Sequence, residues 1–355
     1  MSSLADRAGP IRPGEELPLE RLEAYLKSQR PELTGPIAVE QFPQGHSNLT
    51  YLVRVGETEL VLRRPPFGNQ VKSAHDMGRE FRVLSRLSPI YVPAPRPILY
   101  CDDQSVLGAD FYIMERRQGV IVRSHLPPEL VIDPPTATSL GLAFIDNLAL
   151  LHSLDYRAAG LDDLGKPEGY VARQVNGWIK RYQDAKTDDL PAMERVAHWL
   201  HDNMPADSAG ALIHNDYKYD NLVLNPNDLT QIVAVLDWEM TTVGDPLMDL
   251  GTTLGYWVEA SDAEALRQVA MGPTFVPGSL TRRDLVDRYR QRTGREVTDA
   301  LFYYCFGLFK IGVIVQQIYA RFVRGHTRDP RFGRLNRYVA VLSEQADRSI
   351  EHGTL

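Results

Sequence analysis

Between residues 211 and 250 the chain groups His214, Asp216, Lys218, Asn221 and Asp237 on a framework of short apolar runs. The runs 222–224 and 232–236 read as two strands joined by the turn-forming Asn225-Pro226-Asn227-Asp228, which puts Asn221 and Asp237 at neighbouring strand ends. Asp216 lies five positions before Asn221, close enough in a tight loop to address the same bound ligand. A carboxylate for an attacking hydroxyl, with an amide and a second carboxylate for magnesium, is the grouping that phosphoryl transfer needs.

Such residues need two layers to hold them. An antiparallel meander is predicted from strands at 37–42, 50–55 and 59–63, with further strands at 98–101 and 111–115 and a helix at 75–87. The turn Gln44-Gly45-His46-Ser47-Asn48 offers backbone N–H groups at Gly45 and Asn48 and the Ser47 hydroxyl to an anionic ligand, although a plain hairpin loop has the same composition. Strand alternation sets Val61 and Arg63 on one face and Leu62 and Arg64 on the other. Arg63 is therefore the expected phosphate-facing cation and Arg64 the solvated one. Glu80, beside the apolar stripe of the following helix, either pairs with Arg63 or is a surface charge. Residues 116–119 leave the apolar pattern and form the expected hinge, where backbone groups from Glu115 to Arg117 can read an adenine edge.

The remainder reads as mainly helical, with helices at 138–154, 169–184, 192–204, 280–293, 299–324 and 334–350 and one beginning near residue 246. His152 falls among leucines and is expected to be a packed core histidine. Arg173, Trp178, Arg181 and Tyr182 share one helix, either lining an acceptor pocket or packing between helices. The expected organisation is a loosely docked or mobile arm at 1–18, a first lobe at 19–118 and a second, mainly helical lobe at 119–355.

Across 355 residues the net charge is -7 and only two cysteines occur. The charge and the lack of Lys/Arg runs argue against a nucleic-acid partner, and the cysteine count excludes a disulfide framework and fits a reducing, cytoplasmic interior. The N-terminal residues show no apolar signal-peptide core. The longest apolar passage, 301–322, is interrupted by Lys310, Gln316 and Gln317 and is expected to be a buried helix rather than a membrane span.

The order His214-x-Asp216-x-Lys218-x-x-Asn221 followed by Asp237 resembles the catalytic loop and metal-binding aspartate of the protein-kinase-like superfamily. Asp237-Trp238-Glu239 and the run 244–250, Gly-Asp-Pro-Leu-Met-Asp-Leu, are similar to the aminoglycoside phosphotransferase-like branch. VLRRPP, REFRVLSRL and FYIMERRQG look like the phosphotransferase domains found alone in bacteria or fused to acyl-CoA dehydrogenases. The resemblance implies a bilobal α+β kinase-like fold and ATP with Mg2+ as cofactors. It implies Asp216 as the base orienting an acceptor hydroxyl, Lys218 near the transferred phosphoryl group, and Asn221 and Asp237 as magnesium ligands. Gly45, Ser47, Asn48, Arg63, Glu80, Glu115 and Arg117 are placed at the nucleotide. His214 and Asp249 are expected to brace the loop, and Asp245 either braces it or supports the metal. Trp178, Arg181, Tyr182, Trp238 and Glu239 are candidates for the acceptor side. Arg63 stands where the family keeps a lysine, which implies a rearranged phosphate contact. Only twelve positions separate Asp237 from Asp249, too few for the peptide platform of a protein kinase. A small hydroxylated acceptor follows: a hydroxyacyl or similar metabolite is preferred, with an aminoglycoside or a catalytically silent nucleotide-binding module as alternatives.

Overall fold

The computed structural model describes residues 6–43, 48–67, 76–123, 130–327 and 329–355. It divides into two compact units: residues 1–121, 222–228 and 232–239 form the first, and 122–221, 229–231 and 240–355 the second.

The first unit begins with α1 (Leu19–Gln29), β1 (Ile37–Gln41), β2 (Leu49–Val55) and β3 (Thr58–Arg64), followed by α2 (Met77–Leu87), β4 (Pro97–Cys101), the short α3 (Gln104–Leu107) and β5 (Phe111–Glu115). The five strands make one antiparallel sheet in the order β1-β2-β3-β5-β4. Leu22 and Leu26 of α1 join Tyr51, Val53, Leu60, Leu62, Phe111 and Ile113 in one apolar cluster, so alternate strand residues do bury one face as period two requires. Helix α2 starts where the Asp76 carboxylate caps the Arg79 N–H. Its Phe81 ring lies 6.3 Å from that of Tyr112.

The segment expected as a mobile or loosely docked arm is attached from residue 6 onward. Gly9 bridges Gln41 on the outer edge of β1, the Arg12 N–H donates to Gln41 Oε1 at 2.8 Å, the Tyr51 hydroxyl donates to the Glu15 carbonyl at 2.7 Å, and Leu17 enters the apolar cluster. An open sheet edge and the apolar anchors Leu17 and Ile11 suffice to dock a segment whose Pro and Gly content disfavours helix.

The second unit opens with α4 (Pro134–His152), α5 (Tyr170–Ala185), α6 (Pro191–Asp202) and β6 (Ala211–Ile213). The chain then returns to the first unit for the hairpin β7 (Leu222–Asn225) and β8 (Asp228–Val235), most of which groups there. Val120 and Leu224 exchange backbone hydrogen bonds at 2.8 Å, Val235 N–H donates to the Pro93 carbonyl at 2.8 Å, and Ile121, Val223 and Ala234 form a small core. A Cβ at Gly119 would strike the Leu224 carbonyl, so this approach requires glycine. The units therefore do not part at one point in the chain, as the expected boundary after residue 118 assumed.

Strand β9 (Thr242–Gly244) pairs with β6, and α7 (Pro246–Tyr256), α8 (Glu264–Gln268), α9 (Arg282–Thr293), α10 (Ala300–Val323) and α11 (Leu335–His352) complete the second unit. Among the described residues α10 is the one helix long and apolar enough to cross a membrane, but 78% of its apolar window is buried inside the protein. It packs against α5, α7 and α11. Gly251 and Gly307 let α7 and α10 touch at the backbone: a Cβ on either would meet a carbonyl of the other helix.

Candidate active site

The loop after β6 is fixed from beneath by one carboxylate. Asp249, fully buried in the first turn of α7, accepts the backbone N–H of His214 at 2.7 Å and of Asn215 at 2.8 Å. His152 approaches the same carboxylate at 3.1 Å while its other ring nitrogen meets the Tyr289 hydroxyl at 2.8 Å. Burial alone would raise the Asp249 carboxyl, but the contacts from His152 and His214 outweigh it and hold the group below its ordinary value. The buried His214 in turn accepts the Asp216 N–H on Nδ1 at 3.3 Å. Asp249 thus bonds the backbone of the loop, the buried His214 bonds the backbone of Asp216, and His152 lies in the core. Asp245 caps α7 through Leu247 N–H at 2.8 Å and holds the Ser208 hydroxyl at 2.8 Å, which is a structural placement.

Asn215 takes a left-handed backbone conformation, φ 68°, which asparagine tolerates better than most residues. Its carbonyl receives the Lys310 ammonium at 2.8 Å, and the Thr252 hydroxyl lies 3.4 Å from the same nitrogen. Burial pulls Lys310 down from 10.5 to about 8. Between those two values the folded lysine is neutral while the unfolded one still binds a proton, so this group adds stability as pH rises from about 8 to about 10.5. We expect the urea midpoint of the native protein to gain on that of Lys310→Met between pH 7.5 and 9.5; a constant difference would show that the buried ammonium does not titrate in this window.

Asp216 is held on both oxygens. Lys218 donates to Oδ2 at 2.6 Å and Asn221 to the same oxygen at 3.0 Å, while the Tyr256 hydroxyl donates to Oδ1 at 2.8 Å. Asn221 also donates to the Asp216 carbonyl at 2.8 Å, so its amide nitrogen is committed to the loop and its carbonyl oxygen is the atom suited to a cation. Tyr256 was not among the expected site residues. It lies forty positions from Asp216 at the C-terminal end of α7, and a helix-terminal tyrosine gives no spacing signal for such a contact.

In the first unit Asp237 also adopts a left-handed conformation, φ 66°, a strained setting that a non-glycine residue keeps only where its surroundings enforce it. Arg63 supplies that enforcement: its guanidinium donates to Asp237 Oδ1 at 2.9 Å and to Glu80 Oε1 at 2.9 Å. Glu80 is therefore Arg63's partner and no surface charge. Burial opposes the Arg63 charge, but the carboxylates, Glu80 foremost, overcome it and keep the side chain a cation. The Trp238 N–H also donates to Glu80, at 3.2 Å, and Asn48 donates to Glu239 at 2.7 Å.

Several expectations are corrected. Arg64 is not solvated: it is 2% exposed and donates to the Leu107 carbonyl at 3.0 Å, because the second sheet face is covered as well. Trp238, expected at the acceptor, is 1% exposed, donates to the Val235 carbonyl at 2.8 Å and meets Tyr91 edge-on; it is core of the first unit. Glu239 is tied in that unit to Asn48, and its backbone carbonyl to Arg79 at 3.1 Å. Tyr182 is buried against Phe309 of α10, and the buried Trp178 ring has the Lys310 ammonium of α10 5.8 Å and the Arg181 guanidinium 4.7 Å from its centroid; Tyr182 and Trp178 follow the interhelical reading. Arg173 donates to the Lys166 and Glu168 carbonyls. Glu115 and Arg117 pair with each other at 2.7 Å. Gly45 and Ser47 lie outside the described residues.

Residues 38–283 match the model of the phosphotransferase enzyme family. The chain belongs to that family. It is 34% identical over 340 residues to acyl-CoA dehydrogenase family member 10 of Mus musculus, covering 94% of this chain and 31% of that protein. It is 34% identical over 323 residues to family member 11 of Homo sapiens, covering 89% of this chain and 41% of the relative. The chain thus spans less than half the length of the curated relatives it matches. A Ralstonia eutropha JMP134 crystal structure, provisionally described as an aminoglycoside phosphotransferase, superposes with a TM-score of 0.80 at 31% identity, covering 95% of this chain and 99% of that one. Choline kinase from Cryptosporidium parvum shares the fold, with a TM-score of 0.62 at 14% identity. The expected kinase-like fold and family are both confirmed.

Proposed function

We propose that the chain transfers the γ-phosphoryl group of ATP, with Mg2+, to a hydroxyl of a small hydroxylated metabolite such as a hydroxyacyl compound. The observation that carries this reading is the Asp216 carboxylate, fixed by Lys218, Asn221 and Tyr256, in a member of the phosphotransferase family. Asp216 orients the acceptor hydroxyl and takes its proton as transfer proceeds, and Lys218 supplies positive charge beside the transferred group. Arg63 keeps the left-handed Asp237 in place, and the Glu80 contact fixes Arg63.

The donor set suits magnesium. Among the described residues no cluster of three His, Cys, Asp or Glu forms a metal cage, but Mg2+ is usually held by one or two protein oxygens with the remaining positions taken by phosphates and water. Each unit carries one such oxygen donor, the Asp237 carboxylate in the first and the Asn221 carbonyl oxygen in the second, and it is the family resemblance that proposes these two residues as the ones that would hold it. When bound, the ion neutralises phosphate charge.

The acceptor preference is supported by the likeness to the acyl-CoA dehydrogenase family members, and in the second unit the surroundings of Asp216 are aromatic and cationic, with Lys218, Tyr219, Tyr256 and Trp257 lining one small cavity of the second unit. A polycationic aminoglycoside would need carboxylates to replace its water. We expect ADP release from Mg-ATP to be stimulated by hydroxyacyl-CoA compounds such as 3-hydroxybutyryl-CoA and not by kanamycin; stimulation by aminoglycosides alone would overturn the acceptor assignment. The presence of Asp216, Asn221 and Asp237 together weighs against a silent nucleotide-binding module.

A further inference from the structure

A carboxylate offers about four lone-pair positions. On Asp216 the described residues occupy three: Lys218 and Asn221 both donate to Oδ2, and the Tyr256 hydroxyl donates to Oδ1. One acceptor position is left, on the oxygen that Tyr256 shares. Resting on the reading of Asp216 as the acceptor-orienting carboxylate, we infer that Tyr256 is a positioning residue: its hydroxyl fills the second position on Oδ1, so that Asp216 admits a single nucleophile and excludes a competing water.

Four features of the second unit support this. The Tyr256 hydroxyl is anchored from the last residue of α7, the helix whose Asp249 pins the backbone of the same loop, so the phenol and the loop carrying Asp216 share one rigid support. The Lys218 ammonium lies 4.9 Å from the Tyr256 ring centroid, so Lys218 is set by the carboxylate and the aromatic face together. Burial, and then the charge of Asp216, push the phenol well above its ordinary value, so it remains a hydrogen-bond donor. Tyr256 also lines the pocket beside Lys218 and Trp257. A nucleophile reaching the last position on Oδ1 must therefore lie beside its ring.

Tyr256→Phe keeps the ring and removes only the donor, which makes it the decisive variant. With Mg-ATP and water as the only nucleophile, we expect single-turnover ADP formation to rise at least threefold over the native enzyme, because water gains the second position on Oδ1. With 3-hydroxybutyryl-CoA present, the ratio of ADP formed to phosphorylated acyl-CoA should rise by at least fivefold, with the KM for Mg-ATP unchanged. Tyr256→Leu, lacking the ring, should in addition raise the KM for the acyl-CoA. A phenylalanine variant with the native thermal midpoint and with water-dependent hydrolysis equal to or below the native rate would overturn the inference. Asp216→Asn distinguishes the role of Asp216 from that of Tyr256. If it retains full turnover, the reading of Asp216 itself fails; if it is inactive while Tyr256→Phe behaves as native, only the role of Tyr256 fails.

Discussion

Asp216→Asn is expected to reduce acceptor-dependent turnover by roughly a hundred- to ten-thousand-fold, the usual contribution of a positioned general base, while the protein stays folded. The amide matches the carboxylate in shape, and the change acts on two functions at once. It removes the proton acceptor, and it presents an N–H group to donors that now require an oxygen: Lys218, Asn221 and Tyr256 all point hydrogens at the two carboxylate oxygens. One of these donors must turn away, so the side chain loses its orientation as well as its charge. The bracing beneath it is unaffected, because Asp249 bonds the backbone of His214 and Asn215. The loss should therefore appear in kcat, with little change in thermal midpoint or in the KM for Mg-ATP. Turnover within a few-fold of native would show that Asp216 only shapes the loop.

The largest effect on stability is expected at Arg63. Its guanidinium satisfies Glu80, which is 1% exposed, and Asp237 with separate nitrogens. Arg63→Met leaves the Glu80 carboxylate buried without its counter-charge, a change that costs about 3–5 kcal/mol when one partner of a buried pair is removed. Lysine is a partial replacement, since a single ammonium does not reproduce the two-pronged geometry. A second substitution identifies the cause: Arg63→Met with Glu80→Leu should recover much of the lost urea stability, because the stranded charge is then gone. Equal destabilisation in the single and double variants would assign the loss to packing. The indole N–H of Trp238, bonded to the Val235 carbonyl at 2.8 Å, gives a local reporter. It should exchange faster in Arg63→Met, since Glu80 also holds the Trp238 backbone.

How much of this was legible in the sequence depended on whether a residue's partner was near it in the chain. Strands and helices followed from apolar periodicity, and the hairpin 222–235 from its Asn-Pro-Asn-Asp turn, because these signals are local. Asp216 and Asn221 were readable for the same reason, being separated by five positions on one tight loop. Tyr256 was not, since only the fold of α7 brings its hydroxyl to Asp216. Strand alternation identified the faces of Arg63 and Arg64 but not that α3, through the Leu107 carbonyl, covers the face of Arg64. Adjacency to Asp237 does not put Trp238 on the acceptor side, because the left-handed turn at Asp237 is followed by a ring buried against Tyr91. The segment at 6–18 misled by composition, because content of Pro and Gly says nothing about whether a neighbouring sheet edge is open.

Whether Asp216 directs phosphoryl transfer to a hydroxyl is decided by following the γ-phosphoryl group itself. The native protein and Asp216→Asn are each incubated with Mg2+, γ-18O-labelled ATP and a pool of hydroxyacyl-CoA compounds, and the products are read by mass spectrometry. Labelled phosphate esterified to an acceptor hydroxyl is expected with the native protein and none above background with the variant. Label found only in ATP and inorganic phosphate, or the same phosphate ester formed equally by both proteins, would overturn the role of Asp216 in phosphoryl transfer.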